Sequence, residues 1–148
     1  MLENIKLKPE ETVDYNIKAA WHAISRMYNA QAAKYDITAS IGFILLNIDA
    51  EEGTPATKIA PLYGLEARSI TRTLKSMEGR GLIYREQDLH DKRSVRIHLT
   101  EKGKEKKEVA RKVVRSFNFS VREIIPEEQL KVFFEVVRKV TRLVEEMR

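Results

Sequence analysis

The chain has 148 residues, no cysteine and a formal net charge of +5 at pH 7, which fits one domain with its own core and excludes disulfides and thiolate metal sites. No apolar run reaches the roughly 18 residues of a membrane span and no signal peptide is recognisable, so the sequence predicts no membrane partner and a cytoplasmic location. Residues 64–115 hold 15 Lys and Arg against 8 Asp and Glu, a local basic excess typical of a phosphate-binding segment.

The first part of the chain predicts three helices. Apolar residues at spacings of three and four predict a long helix from about Thr12 to Tyr35. A second helix begins near Thr38, a suitable N-cap. The Thr54-Pro55 pair fits the N-cap and first position of a short third helix, and Gly64 offers a turn into the next one. This spacing predicts a helix-turn-helix.

A fourth helix is predicted from about Glu66 to Arg80, with Ile70, Leu74 and Met77 facing inward. Its other faces are polar and basic. They carry Arg68, Ser69, Thr71, Arg72 and Lys75. Residues 82–85 and 94–99 follow as two strands joined by a polar loop. A basic helix that leads into a basic two-stranded hairpin is typical of a winged helix-turn-helix.

Two more helices complete the chain. Thr100 caps a fifth helix, and Pro126 begins a sixth that runs to the C-terminus. The first and last helices carry apolar stripes longer than a small winged-helix core needs. Because one short helix and one wing bury little DNA surface, the sequence predicts a homodimer that joins these stripes and places two recognition helices about 34 Å apart.

The candidate DNA contacts lie in the fourth helix and the wing. In the helix they are Arg68, Ser69, Thr71, Arg72 and Lys75, and in the wing they are Lys92 and Arg93. Side chains near the start of such a helix reach base edges, so Arg72 is expected to read a base and Lys75 to contact a phosphate. Arg93 is expected in the minor groove. Asp91 is expected to hold Arg93 or Arg85 by a charge-assisted hydrogen bond.

Four lysines follow the wing at the start of the fifth helix. They are Lys102, Lys104, Lys106 and Lys107. Cations at a helix N-terminus oppose the helix dipole, so local helix stability does not explain them. A nearby polyanion and a solvated helix face are both open interpretations.

The sequence resembles the MarR family, the multiple antibiotic resistance regulators. The resemblance rests on residues 69–72, the helix exit at 78–83 with Arg85 after it, the wing residues Asp88, Asp91 and Arg93, and residues 99–103. It implies a mainly α winged-helix fold of six helices and a two-stranded wing hairpin. The domain would span residues 1–148, with a DNA-binding lobe at 38–100 and a helical dimerisation region formed by 1–37 and 101–148.

The resemblance also implies a function. Such proteins are dimeric transcription factors, so double-stranded DNA with a pseudo-palindromic operator is the expected partner, and repression is the expected effect. Many members bind small aromatic or anionic effectors between the dimerising helices and the DNA-binding lobe. The corresponding expectation places an effector pocket near Trp21, His22, Arg26 and Phe43.

Three other functions compete with this hypothesis. A metal-responsive regulator could use His22, His90 and His98 with an aspartate of the wing. A winged-helix scaffold could bind protein through the basic face. An enzyme such as a nuclease needs a carboxylate cluster or an activated nucleophile, and the sequence offers no Gly-rich phosphate loop or Ser-His-Asp set. We therefore expect no enzyme activity, no catalytic residues, no metal and no cofactor.

Overall fold

The computed structural model describes residues 4–59 and 67–148, with the backbone alone for Ala67 and Arg68. The chain divides into two compact units, Met1–Arg111 and Lys112–Arg148. The helices of the described part are α1 (Val13–Ala33), α2 (Ala39–Leu46), α3 (Ala67–Gly79), α4 (Glu101–Ile124) and α5 (Glu127–Glu146). The strands are β1 (Thr54–Pro55), β2 (Ile83–Gln87) and β3 (Val95–Leu99).

The start of α2 follows the sequence prediction. The Thr38 hydroxyl accepts a hydrogen bond from the Ile41 backbone N–H at 3.1 Å, which confirms Thr38 as the N-cap. The backbone N–H of Ala39, the residue directly after Thr38, donates to the Asn29 side-chain oxygen at 3.2 Å. Between the two helices Asp36 adopts a φ of +59°, a left-handed conformation that reverses the chain after α1. These contacts fix α2 against the end of α1.

The predicted start of the third helix is wrong. Thr54–Pro55 form the short strand β1, followed by a 3₁₀ turn at Ala56–Lys58. The Thr54 hydroxyl accepts a hydrogen bond from the Asp49 N–H at 2.9 Å, so it closes the preceding loop and caps no helix. Proline is tolerated in an edge strand such as β1, where its missing N–H costs no hydrogen bond of the sheet. The remainder of that predicted helix and the turn at Gly64 lie outside the described residues.

The three strands form one antiparallel sheet in the order β1-β3-β2. The predicted hairpin is confirmed, with Ile83 opposite Leu99 and Arg85 opposite Ile97. The sequence missed β1, which pairs Thr54 with Ile97. A two-residue strand is too short to show an alternating pattern, so the hydrophobic periodicity could not reveal it.

The core of the first unit lies between α2, α3 and the sheet. Its buried members are Ile37, Ile41, Ile44, Leu45, Ile48, Ile59, Ile70, Leu74, Met77, Leu82, Ile83, Ile97 and Leu99. The predicted inward positions of α3 are confirmed, because Ile70, Leu74 and Met77 all belong to this core. Burial of this face leaves the opposite face of α3 in solvent.

The second unit consists of the C-terminal part of α4 and all of α5. The Arg122 Nε atom lies 3.4 Å from a Glu127 carboxylate oxygen across the turn that joins the two helices. The predicted apolar stripe of α5 begins at the buried Leu130. Farther along the helix, Phe133 is 57% exposed and Val144 is 52% exposed. In the part of the chain that the structure describes, no helix is long and apolar enough to cross a membrane.

Candidate nucleic-acid interface

The exposed face of α3 presents polar and basic side chains. Ser69, Thr71, Arg72 and Lys75 are all exposed. Spacings of three and four residues place Ser69 near Arg72, and Thr71 near Lys75, along one side of the helix. The side chain of the fifth predicted contact, Arg68, lies outside the described residues. The structure therefore brings four of the five predicted helix residues to the solvent side of the core.

The exit from α3 leads directly into the wing. Gly81 adopts a φ of +72°, and the Leu82 N–H donates to the Met77 carbonyl at 2.9 Å, as in a Schellman motif. The Arg85 Nε atom of β2 lies 3.4 Å from a carboxylate oxygen of Glu78 in α3. Arg85 thus supports the wing by joining it to the helix, and its carboxylate partner is Glu78.

Asp88 organises the tip of the wing. One of its carboxylate oxygens accepts the backbone N–H of His90 at 2.8 Å and that of Asp91 at 3.3 Å. Asp88 is only 8% exposed, and its backbone N–H donates to the Ser94 carbonyl at 3.0 Å. The hydrogen bond from His90, with further contributions from Asp91 and Arg96, lowers the pKa of the Asp88 carboxyl despite partial desolvation. The carboxylate therefore remains ionised as the anchor of the loop.

Asp91 binds a backbone N–H of the wing and not the guanidinium that the sequence predicted. Its carboxylate accepts the backbone N–H of Arg93 at 3.0 Å, whereas the sequence predicted a bond to the guanidinium of Arg93 or Arg85. A short Asp side chain two residues before an N–H closes an Asx turn more readily than it reaches a distant guanidinium. Asp91 shapes the backbone under Arg93 and leaves the Arg93 side chain exposed.

Arg96 is a wing residue that sequence reasoning missed. Its Nε atom donates to the second Asp88 carboxylate oxygen at 3.2 Å. Its terminal nitrogen donates to the backbone carbonyls of Glu52 and Gly53, each at 3.2 Å. One guanidinium thus joins the wing tip to the loop before β1. The signal available in the sequence was an arginine on the second strand with an aspartate where the first strand ends.

Lys92 and Arg93, the two predicted wing contacts, are exposed at this tip. The Gln87 side-chain amide donates to the Lys92 carbonyl at 2.7 Å, and the Arg93 N–H is held by Asp91. Both backbones are therefore fixed while both cationic side chains face solvent. Because the backbone is already ordered, this arrangement can present positive charge to a polyanion with little further loss of backbone conformational entropy.

The lysines at the start of α4 have a structural role that neither sequence interpretation anticipated. Lys106 donates to the Tyr35 carbonyl at 2.7 Å, Lys107 to the Ile48 carbonyl at 2.5 Å, and Lys102 to the Arg80 carbonyl at 3.1 Å. These carbonyls lie just beyond the C-terminal ends of α1, α2 and α3 respectively. Cations stabilise the negative end of a helix dipole, so these three lysines of α4 cap the C-terminal ends of the three preceding helices. Lys104 pairs with Glu101 of its own helix at 3.4 Å.

A cavity of about 440 Å³ lies between α1 and α2. Its lining residues are Trp21, Ser25, Asn29, Ala39, Ser40, Phe43 and Ile44. The Trp21 and Phe43 ring centroids lie 6.2 Å apart, and the Tyr28 ring meets Phe43 edge-on at 5.4 Å. Of the four residues predicted for an effector pocket, the structure brings Trp21 and Phe43 together. His22 and Arg26 are exposed on α1 and are not among the described lining residues.

The histidines do not assemble into a metal centre. Within residues 4–59 and 67–148, no three His, Asp or Glu side chains are grouped so that they could hold an ion. His98 instead stacks on Tyr84, with the ring centroids 5.1 Å apart, and its Nε2 atom lies 3.2 Å from a Glu86 carboxylate oxygen. The metal-responsive hypothesis therefore has no geometric support in the described part of the chain.

The sequence is similar to known transcriptional regulators. A family model described as "MarR family" matches residues 37–95. The HTH-type transcriptional regulator SarZ of Staphylococcus aureus (strain USA300) is 31% identical over 104 residues, which cover 68% of this chain and 70% of SarZ. The HTH-type transcriptional regulator TtmR of Methylorubrum extorquens (strain PA1) is 33% identical over 90 residues, or 61% of this chain and 46% of TtmR. The match thus spans less than half of TtmR.

A solved structure extends the likeness to nearly the whole chain. The transcriptional repressor CouR bound to a 23-mer DNA duplex superposes with a TM-score of 0.77 at 25% identity, covering 93% of this chain and 99% of that one. The helices, the exposed polar face of α3 and the small antiparallel wing form a winged-helix fold, and the regulators that the chain matches place it in the class of winged-helix transcriptional regulators. The chain belongs to the MarR family. Its relatives are named as regulators, which confirms the expectation of a regulator and not an enzyme.

Proposed function

We propose that the chain binds double-stranded DNA sequence-specifically as a homodimer and represses transcription from a pseudo-palindromic operator in the cytoplasm. The observation that carries this proposal is the exposed polar face of α3 beside a wing whose backbone is fixed by Asp88 and Arg96. The SarZ and CouR names support a role in transcription. Residues 38–100 serve as the DNA-binding lobe in this proposal, and residues 1–37 and 101–148 serve as the dimerisation region.

In this proposal α3 enters the major groove. Arg68 and Arg72 are the base readers, because arginine can donate two parallel hydrogen bonds to guanine, worth about 1–3 kcal/mol of discrimination. Ser69 and Thr71 contact bases or phosphates at shorter range. Lys75, one turn after Thr71, contacts a phosphate and adds affinity without sequence preference.

The wing supplies the second contact. Lys92 and Arg93 enter the neighbouring minor groove, where a narrow groove concentrates negative potential and attracts a guanidinium. Asp88, Asp91 and Arg96 stay out of the DNA and hold the backbone that carries these cations. Arg85 holds the base of the wing through Glu78. The division assigns base recognition to α3 and groove anchoring to the wing.

Dimerisation is proposed through apolar side chains that the single chain leaves in solvent. In the first unit, α1 exposes Val13, Ile17 and Trp21; in the second, α5 exposes Phe133 and Val144. A specific DNA interface buries roughly 1,000–2,500 Å², more than one short helix and one wing provide. Two chains related by a two-fold axis supply two such interfaces and match an operator with two half-sites.

The cavity between α1 and α2 is the proposed effector site. Trp21 and Phe43 form an aromatic wall, while Ser25 and Asn29 provide hydrogen-bonding groups. This lining suits a small aromatic molecule, including an aromatic anion. Saturable quenching of Trp21 fluorescence together with weaker DNA binding is the expected response to an effector. Quenching without any change in DNA affinity would show that a ligand binds in the cavity without regulating DNA binding.

Selection of bound duplexes from a random pool, followed by affinity measurements on the selected sequence, tests the DNA proposal. Arg72→Ala is expected to reduce the preference for the selected duplex over a random one, since it removes a base contact. Lys75→Ala is expected to weaken both duplexes about equally. Lys34→Ala, at the exposed end of α1, is the matched loss of one positive charge. Equal effects of all three changes would contradict the assignment of α3 as the reading element.

A further inference from the structure

A second cavity, of about 430 Å³, lies in the first unit where several helices begin and end. Its walls come from the chain between α1 and α2, the exit of α3 and the start of α4. Nothing in the proposed DNA binding or effector binding uses it. Its volume falls within the range of small-ligand sites in proteins.

The charge of this cavity is strongly unbalanced. Among the described lining residues, Arg80, Lys102 and Lys106 are cationic and Asp36 is the one carboxylate. These described residues give a formal excess of two positive charges in one concave site, which attracts an anion. A phosphate monoester carries between about −1.5 and −2 at neutral pH, which matches this excess.

The three cationic groups are already held in place. The Arg80 guanidinium donates to the Asp36 carbonyl at 2.8 Å, Lys102 to the Arg80 carbonyl at 3.1 Å, and Lys106 to the Tyr35 carbonyl at 2.7 Å. Each of these bonds uses one N–H of a group that has five in arginine and three in lysine. Donors therefore remain for a ligand, and little side-chain entropy is lost on binding because the heads are ordered beforehand.

The remaining walls fit an organic anion better than a bare ion. Ile37 and Leu82 are buried and give the cavity an apolar floor. Thr38, the N-cap of α2, stands at its wall and brings the positive end of that helix dipole near the cavity, while Lys106 and Lys102 already offset the negative ends of α1 and α3. A ligand with a short carbon skeleton would cover the floor while its anionic group meets the cations.

We propose that this cavity binds a small phosphate monoester, with Arg80, Lys102 and Lys106 as the phosphate ligands. Arginine binds phosphate oxygens through two parallel N–H groups, and the lysines add point charges. The bound phosphate links the residue that follows α3 to the start of α4 and to the α1–α2 connection. Binding to the free chain does not depend on the proposed DNA function.

Isothermal titration of glycerol 3-phosphate into the full chain at constant ionic strength tests this site. Wild type is expected to bind one equivalent per chain, and glycerol is expected not to bind. Arg80→Gln and Lys102→Gln are expected to weaken binding at least tenfold, since each removes a charge-assisted phosphate contact. Lys104→Gln is the matched control, because it removes a lysine from the same turn of α4 that pairs with Glu101. Equal affinity of the Lys102 and Lys104 variants would overturn the proposal.

Amide chemical shifts of the wild-type chain provide a second measurement that needs no variant. Glycerol 3-phosphate is expected to shift the signals of residues 36–38, 80–82 and 102–106 with one saturation curve. Shifts confined to other regions, or no saturable shift, would overturn the proposal even if the variants fail to fold. A duplex DNA that shifts the signals of these same residues, while glycerol 3-phosphate shifts none of them, would assign the cations to the DNA backbone and would also overturn it.

Discussion

Replacement of Gly103 by alanine probes how α4 is joined to the exit of α3. Gly103 is buried in the first turn of α4, and a Cβ atom there would overlap the carbonyl oxygen of Leu82 and approach the Leu99 side chain to 3.4 Å. The Leu82 carbonyl cannot retreat freely, because it accepts the Thr100 N–H at 3.1 Å. The added methyl group must therefore displace backbone.

The size of the effect follows from three contributions. Forcing extra volume into a packed site costs about 1–3 kcal/mol, and loss of the hydrogen bond between Thr100 and Leu82 costs about 1 kcal/mol. Alanine gains about 1 kcal/mol over glycine in a helix interior, which offsets part of this cost. We expect Gly103→Ala to lower the free energy of unfolding by about 2 kcal/mol and Tm by roughly 4–8 °C for a chain of this size.

Urea unfolding followed by circular dichroism measures this difference. Gly79→Ala is the matched control, because a Cβ atom on Gly79 in α3 meets nothing within 4 Å. That variant is expected to be at least as stable as the wild type, since it gains helix propensity without a clash. If Gly103→Ala were as stable as Gly79→Ala, the close approach of α4 to the Leu82 carbonyl would be refuted.

Three further predictions concern the lysine caps, the wing and the dimer. Lys107→Met is expected to lower the free energy of unfolding by about 1–2 kcal/mol, because it leaves the Ile48 carbonyl without its charged donor. Lys104→Met removes only an exposed ion pair and should change the free energy of unfolding by less than about 0.5 kcal/mol. Equal losses in the two variants would contradict the capping role of Lys107. The lowered pKa of Asp88 stabilises the folded chain above the ordinary carboxyl pKa, and this stability is lost as the pH falls through the lower folded-state value. Acid unfolding curves should therefore be less steep for Asp88→Asn than for wild type, and an unchanged pH dependence would count against Asp88 as the wing anchor. Phe133→Asp should weaken dimerisation at least tenfold in sedimentation equilibrium, whereas a dimer as tight as the wild type would exclude this face of α5 from the interface.

The elements with long, regular hydrophobic patterns could be predicted from the sequence. The inward residues of α3 and the paired strands of the wing follow directly from periods of 3.6 and two residues. The strand β1 could not be predicted from the sequence, since two residues are too few to show a periodic pattern and the Thr54-Pro55 pair equally suits a helix start. Local propensity was overridden there by the hydroxyl contact to Asp49.

For the candidate site, the sequence predicted the exposed residues better than the contacts that each residue makes. Exposure of Arg72, Lys75 and Arg93 follows from the position of the core, whereas the partner of each charge depends on the path of the chain in three dimensions. Asp88 and Asp91 look alike in sequence, yet only Asp88 turns inward to meet Arg96. The lysines of α4 likewise resemble a DNA-binding run until their carbonyl partners, up to 71 positions away in the chain, are located.

The measurement that bears most directly on the proposed regulator is the salt dependence of its binding to a selected duplex, with the stoichiometry determined by sedimentation of the same complex. We expect two chains per duplex and a decline of log K with log salt of about 0.9 for each phosphate contacted, reduced by about one unit per chain in Lys75→Ala. A single chain on the duplex, affinity independent of salt, or no preference over a random duplex would contradict a dimeric regulator that binds DNA through α3 and the wing.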